Sequence, residues 1–262
     1  MNFVSAWLLS AQVLTICTAP DVGRFRYQGP FFSLYYDVDE DKKVTHRVEV
    51  PKPKYDTRDI PTGQHYVRGP YALRKVTNFT YTIDFEASGI TSAYWQQSVE
   101  NFLRSTGVLE SDETYYPGDL ATLHYTGGDE LFVNLGGEEI HLMRVGRRLV
   151  PGEYVYKESV PPYISISYKI YAGGLGGVMV ESELRATSRF AHKLSRRESG
   201  LQYSYYAVES AGQGSLKQFL DQVRYVWPGK RVFPDDFSRV VVATENTIYV
   251  EVEGGRLALT KV

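Results

Sequence analysis

Cysteine is almost missing from this chain: Cys17 is the only one in 262 residues. Disulfide staples and a Cys–Cys metal site are therefore excluded, and the fold must rest on core burial, which a chain of this length can supply. An excess of one charge is missing too. Twenty-nine Lys and Arg face 31 Asp and Glu, a formal net charge of -2, so no basic field recruits nucleic acid. Beyond the first nineteen residues no apolar run is long enough to cross a bilayer as a helix, so the mature chain is expected to carry no transmembrane segment. The final residues 257–262 do not read as an anchor tail. The five histidines, His46, His65, His124, His141 and His192, show neither HExxH nor the spacing of a helical zinc site, and G-x-S-x-G does not occur. No metal, no cofactor and no catalytic residue is therefore nominated.

The beginning differs in character. Phe3 to Ala19 holds no charge and reads as a secretory signal peptide over residues 1–19, with cleavage after Ala19. Cys17 falls inside it, so the mature chain is cysteine-free and expected to be secreted and extracellular.

What the chain has in abundance is tyrosine, 21 residues, and internal likeness. Tyr116 to Val145 lies over Phe233 to Val262 without a gap, matching Pro117/Pro234, Asp119/Asp236, Phe132/Tyr249, Gly137/Gly254 and Leu142/Leu259. Upstream, Gly23 to Tyr27 lies over Gly152 to Tyr156, and Pro30 to Val38 over Pro162 to Ile170. Four collinear blocks predict a tandem duplication, with β-rich repeat units at 22–146 and 150–262.

Each unit is expected to start with strands, at 31–38, 44–50 and 79–85 in the first and 163–171, 178–184 and 201–208 in the second, where aromatic and β-branched residues alternate. Ser92 to Thr106 then sets Trp95, Val99, Phe102 and Leu103 on one helical face, stopped by Gly107. In the second unit Ser215 and Gln218 form a capping box ahead of Leu216, Phe219, Leu220 and Val223. A three-strand meander follows each helix, its tight turns at Gly136-Gly137 and Gly254-Gly255. The expected class is α+β with β dominant: an antiparallel sheet with one helix on its face, made twice. The Pro-rich stretch between Pro51 and Asn78 reads as a long loop.

Local motifs have plain readings. Asp37 to Lys42 starts like a calcium loop but lacks the required glycine and terminal glutamate, and Gly173 to Gly177 lies between strands, unlike a phosphate loop. Both are expected to be hairpin turns. Pro117-x-Asp119 and Pro234-x-Asp236 read as turns stabilised by the aspartate. His124 and His141 share a face of the first meander, with a strand between them. Asn78-Phe79-Thr80 is a sequon for N-glycosylation, and Arg147-Arg148, at the junction of the units, is a possible processing site. The run Arg185, Arg189, His192, Lys193, Arg196 and Arg197 reads as charged surface. Together these point to a secreted soluble binding protein rather than an enzyme. The ligand is left open among protein, glycan and small molecule. A hydrolase with paired carboxylates in the cleft between units and a lipid carrier remain as alternatives.

Overall fold

The computed structural model describes residues 21–52, 63–110, 112–199, 203–212 and 214–262. The expected signal peptide, with its cleavage candidate Ala19 and Cys17, lies outside these residues. The first half contains β1 (Gly23–Gln28), β2 (Ser33–Val38), β3 (Lys43–Val50), β4 (Gln64–Lys75), β5 (Thr80–Ile83), α1 (Ser92–Ser105), β6 (Thr122–Gly127), β7 (Glu130–Leu135) and β8 (Glu138–Val145). The second half contains β9 (Gly152–Lys157), β10 (Ser165–Ile170), β11 (Leu175–Glu181), β12 (Phe190–Ser199), β13 (Tyr203–Ser210), α2 (Leu216–Val226), β14 (Arg239–Val242), β15 (Thr247–Val252) and β16 (Gly255–Lys261). Both halves thus run five strands, one helix, three strands.

The fold is β-dominant, and the antiparallel strands of each half close into a ring. Strands β1 to β8 pair in chain order, and β1 also pairs with β8, so eight antiparallel strands close on themselves. In the second half β9 to β16 pair in order from β9 to β13 and from β14 to β16, with β13–β14 and β16–β9 completing a second ring. Closure removes the unpaired edges that an open sheet would expose. A single parallel bridge, Val145 to Ser204, connects the rings.

Period-two patterning decides which side chains fill each ring. Strand β3 turns Val44, His46, Val48 and Val50 inward and leaves Lys43, Thr45, Arg47 and Glu49 toward solvent. The first interior holds Phe25, Leu34, Tyr36, Leu123, Leu131 and Leu142, and the second holds Tyr154, Ile166, Tyr168, Val180, Val240 and Leu259. Each helix adds its apolar stripe to its own core. Trp95, Val99 and Leu103 do so from α1, and Phe219, Leu220, Val223 and Val226 from α2. Thr91 caps α1, and the expected capping box of Ser215 and Gln218 caps α2.

Two expectations change. The long loop between Pro51 and Asn78 contains the twelve-residue strand β4, and the run from Arg185 to Arg197, read as charged surface, enters β12, where His192 is buried. These are the fourth strands of their rings. Strand β4 carries Gly69-Pro70 opposite a register shift between Val44 and His46. Gly69 sits at φ +116, where a Cβ would come within 2.6 Å of the Val44 carbonyl, so only glycine lets the strand pass.

The aspartate turns recur as expected. Asp119 accepts from the Tyr116 and Gly136 amides, at 3.0 and 2.8 Å, and Asp236 accepts from the Phe233 amide at 2.9 Å. The residues that follow, Leu120 and Phe237, both take φ 58. Their amides bond to the Asn134 and Glu251 carbonyls, a matched pair. Asp37 to Lys42 and Gly173 to Gly177 both form hairpin turns or their flanks, and among the described residues no cluster suited to a metal ion is found.

Candidate functional site

Strands β5 to β8 present one row of side chains to the outside of the first barrel. The register places Thr80 beside His124, His124 beside Phe132, and Phe132 beside His141. Leu123, Leu131 and Leu142 point into the core, so their neighbours must point out. The His124 and Phe132 rings stack at 4.5 Å with 8° between planes, and His141 lies 5.7 Å beyond Phe132. The strand between the two histidines, which seemed to keep them apart, supplies the ring that joins them.

Carboxylates flank the row. Glu130 Oε1 is 3.0 Å from His141 Nδ1, and Glu139 Oε2 is 3.4 Å from His141 Nε2. Partial burial lowers the pKa of His124, opposed by the charge of Glu139, so His124 is neutral at pH 7 and stacks as an apolar ring with a polar rim. Next to the row opens a shallow cleft of about 530 Å³ lined by Tyr116, Thr122, His124, Asn134 and Glu139. The Asp119 turn positions Tyr116, whose side of the cleft is exposed. Aromatic faces, amide and carboxylates here offer stacking, hydrogen bonding and cation binding.

A second cleft, of about 390 Å³, lies at the start of α2. Its polar groups are engaged internally: Ser215 and Gln218 cap the helix, and Gln222 accepts from the Ser188 amide and hydroxyl, both at 2.9 Å. Arg189, on the same rim, donates to Gly177 O and Ser167 Oγ.

The junction between the barrels is where the alternative reading, a hydrolase, would place its paired carboxylates. The pole of the first barrel rests on the outer side of β14 and β15. Arg144, fully buried, places its guanidinium 4.6 Å from the Phe25 ring of its own barrel and 4.4 Å from the Tyr249 ring of the other. It donates to Asp129 Oδ1 at 3.1 Å, to the Gly128 carbonyl at 2.7 Å and to the Val22 carbonyl. Asp129 Oδ2 takes Arg256 Nε at 2.7 Å. Glu40 accepts from Thr244 and, at 2.8 Å, Thr247. Burial raises the Asp21 pKa to about 6, with Arg144 pulling down and Asp129 pushing up. The carboxylates at this junction are thus occupied in joining the barrels. Arg144 was not foreseen. Its signal was a charge at an inward position, two residues after Leu142 in β8.

The remaining sequence candidates fall as follows. Asn78 is exposed in the turn between β4 and β5, and its neighbour Phe79 is exposed as well, not a strand position. Arg147 is partly buried at the junction. Its amide bonds to the Val242 carbonyl at 2.8 Å and its side chain approaches Asp37 at 3.4 Å, while Arg148 is exposed. Among the described residues no helix is long and apolar enough to cross a membrane. No protein-family model matches the chain, and neither a curated protein nor a solved structure matches it significantly.

Proposed function

We propose that this chain is a secreted, non-enzymatic recognition protein made by tandem duplication of an eight-stranded unit, and that the outer face of β6 to β8 binds a protein partner presenting a basic side chain. The repeated element order, the recurring aspartate turns and the collinear sequence blocks support the duplication. Under it, His124 and Phe132 match Val241 and Tyr249. Those second-barrel residues are buried because the first barrel docks there, with Arg144 over Tyr249. The matched face of the first barrel is open, keeps an aromatic ring at the same place, and adds Glu130 and Glu139. That one observation carries the reading: a face used once for a cation-bearing surface is free in the other copy.

The alternatives draw less support. Barrel interiors filled by Tyr36, Trp95, Tyr168 and their neighbours leave little room for a lipid. A hydrolytic pair would need carboxylates free to exchange protons with substrate, whereas Asp129 and Glu40 are held by internal donors. Secretion would place a new N-terminus at Pro20, which N-terminal sequencing of exported material reads directly. In a eukaryotic secretory pathway the exposed Asn78 would carry a glycan.

The test is a protein-array and glycan-array screen with wild type and with Tyr116→Ala/Phe132→Ala/Glu139→Lys. Basic protein partners should bind wild type and lose at least about tenfold affinity to the variant, with binding weakened by salt and the melting temperature kept. Hits that bind both forms equally, or hits confined to neutral glycans, would count against it.

A further inference from the structure

Each barrel buries one imidazole beside the tyrosine of its second strand. In the first, His46 lies 5.1 Å from Tyr36, 6.0 Å from Tyr66 and 6.0 Å from Trp95 of α1. Neither ring nitrogen finds a hydrogen-bond partner among the described residues, nor does Trp95 Nε1. In the second, His192 Nε2 meets the Tyr168 hydroxyl, and its Nδ1 is 3.0 Å from the Phe190 carbonyl. Phe190 lies 5.4 Å from His192 and stacks at 5.5 Å on Phe219 of α2. Gly176 makes the place for this ring, since a Cβ there would be 2.4 Å from Nε2.

Tyr36 and Tyr168 occupy matched positions, yet the histidines do not. His46 comes from the third strand and matches Val178, while His192 comes from the fourth. Simple inheritance of one core residue does not give this pattern. Two routes have put an imidazole against the same tyrosine and into the packing beneath the helix.

We infer that the chain carries an acid-sensitive latch, in which protonation of His46 and His192 releases α1 and α2 from the barrels while the closed strands stay paired. The groups facing His46 are Tyr36 from β2, whose hydroxyl donates to Leu120 O, Tyr66 from β4, bonded to Ser98, and Trp95 from α1. Arg68, paired in register with His46, lies over the Tyr66 ring at 4.6 Å. Around His192 stand Tyr168, Gly176, Phe190 and Ser210, with Arg189 nearby, engaged with the Gly177 carbonyl. No carboxylate is in either set, so a proton at either imidazole gains no counter-charge. Burial lowers the His46 pKa to about 3 and the His192 pKa to about 4.

The sign follows from linkage. Above the unfolded value near 6.5 both states are neutral and the full stability is present. Below it the open form binds protons that the closed form refuses, so each histidine shifts the balance toward opening by up to about tenfold per pH unit. The helices yield first because side-chain packing holds them, whereas hydrogen-bond ladders close the strands into rings.

Hydrogen exchange followed by mass spectrometry on the full chain, corrected for intrinsic rate, tests this from about pH 7.5 to 3.5. Peptides covering 92–105 and 216–226 should lose at least about tenfold in protection near pH 4.5, while those covering 43–50 and 165–170 keep theirs. His46→Gln/His192→Gln should move that loss lower by about one pH unit or more. Helices and strands opening together at one pH, or the double variant following wild type, would overturn the latch. Wild-type imidazole NMR gives a reading independent of variant folding: midpoints below about 5 in the folded chain support it, and midpoints near 6.5 refute it.

Discussion

At the scale of single residues, the tyrosines do much of the work that disulfides do elsewhere. Tyr36 donates to the Leu120 carbonyl at 2.7 Å, Tyr115 to the Asp119 carbonyl at 2.9 Å and Tyr154 to the Val150 carbonyl at 2.9 Å. Each brings a large apolar ring into the core and satisfies a carbonyl with its hydroxyl. Tyr168 is the most consequential, because its hydroxyl meets His192 with both groups fully enclosed. Tyr168→Phe leaves the imidazole acceptor unpaired, and chemical denaturation at pH 7 should show a loss of about 1–3 kcal/mol. The matched Tyr36→Phe strands a carbonyl oxygen instead and should cost a similar amount without changing the environment of His46.

At the scale of elements, legibility followed local pattern. Both helices were readable because their signals are local: an apolar stripe stopped by Gly107 in the first, and a stripe behind a capping box in the second, where the box at Ser215 and Gln218 formed as read. Ser215→Ala should cost about 1 kcal/mol by thermal or chemical melts, since the Gln218 amide then loses its acceptor. Strands β4 and β12 were not readable. Gly69-Pro70 interrupts one, and the other alternates charge with burial, Lys193 outward beside Leu194 inward and Arg196 and Arg197 at the surface. Such strands are recognisable only from the neighbours that pair with them. The candidate face was half legible. His124 and His141 were read on one face, but the part played by Phe132 depends on a three-strand register that local sequence does not encode.

At the scale of the whole molecule, the junction gives the two barrels different fates. Closure joins the first strand of each half to its last, a pairing across more than a hundred residues, so sequence periodicity carried no trace of it. The docking is heterologous, pole against side, so the outer face of β14 and β15 is covered while that of β6 to β8 is open. Arg144, enclosed by two rings and an aspartate, keeps that arrangement. The molecule is built on two closed rings joined by one bridge. Backbone NOEs measured on a uniformly labelled chain report closure directly. Cross-strand contacts are expected from Arg24 to Val145 and from Val155 to Thr260. Spectra in which β1 and β8, or β9 and β16, show no mutual contacts while their other neighbours remain paired would contradict closure.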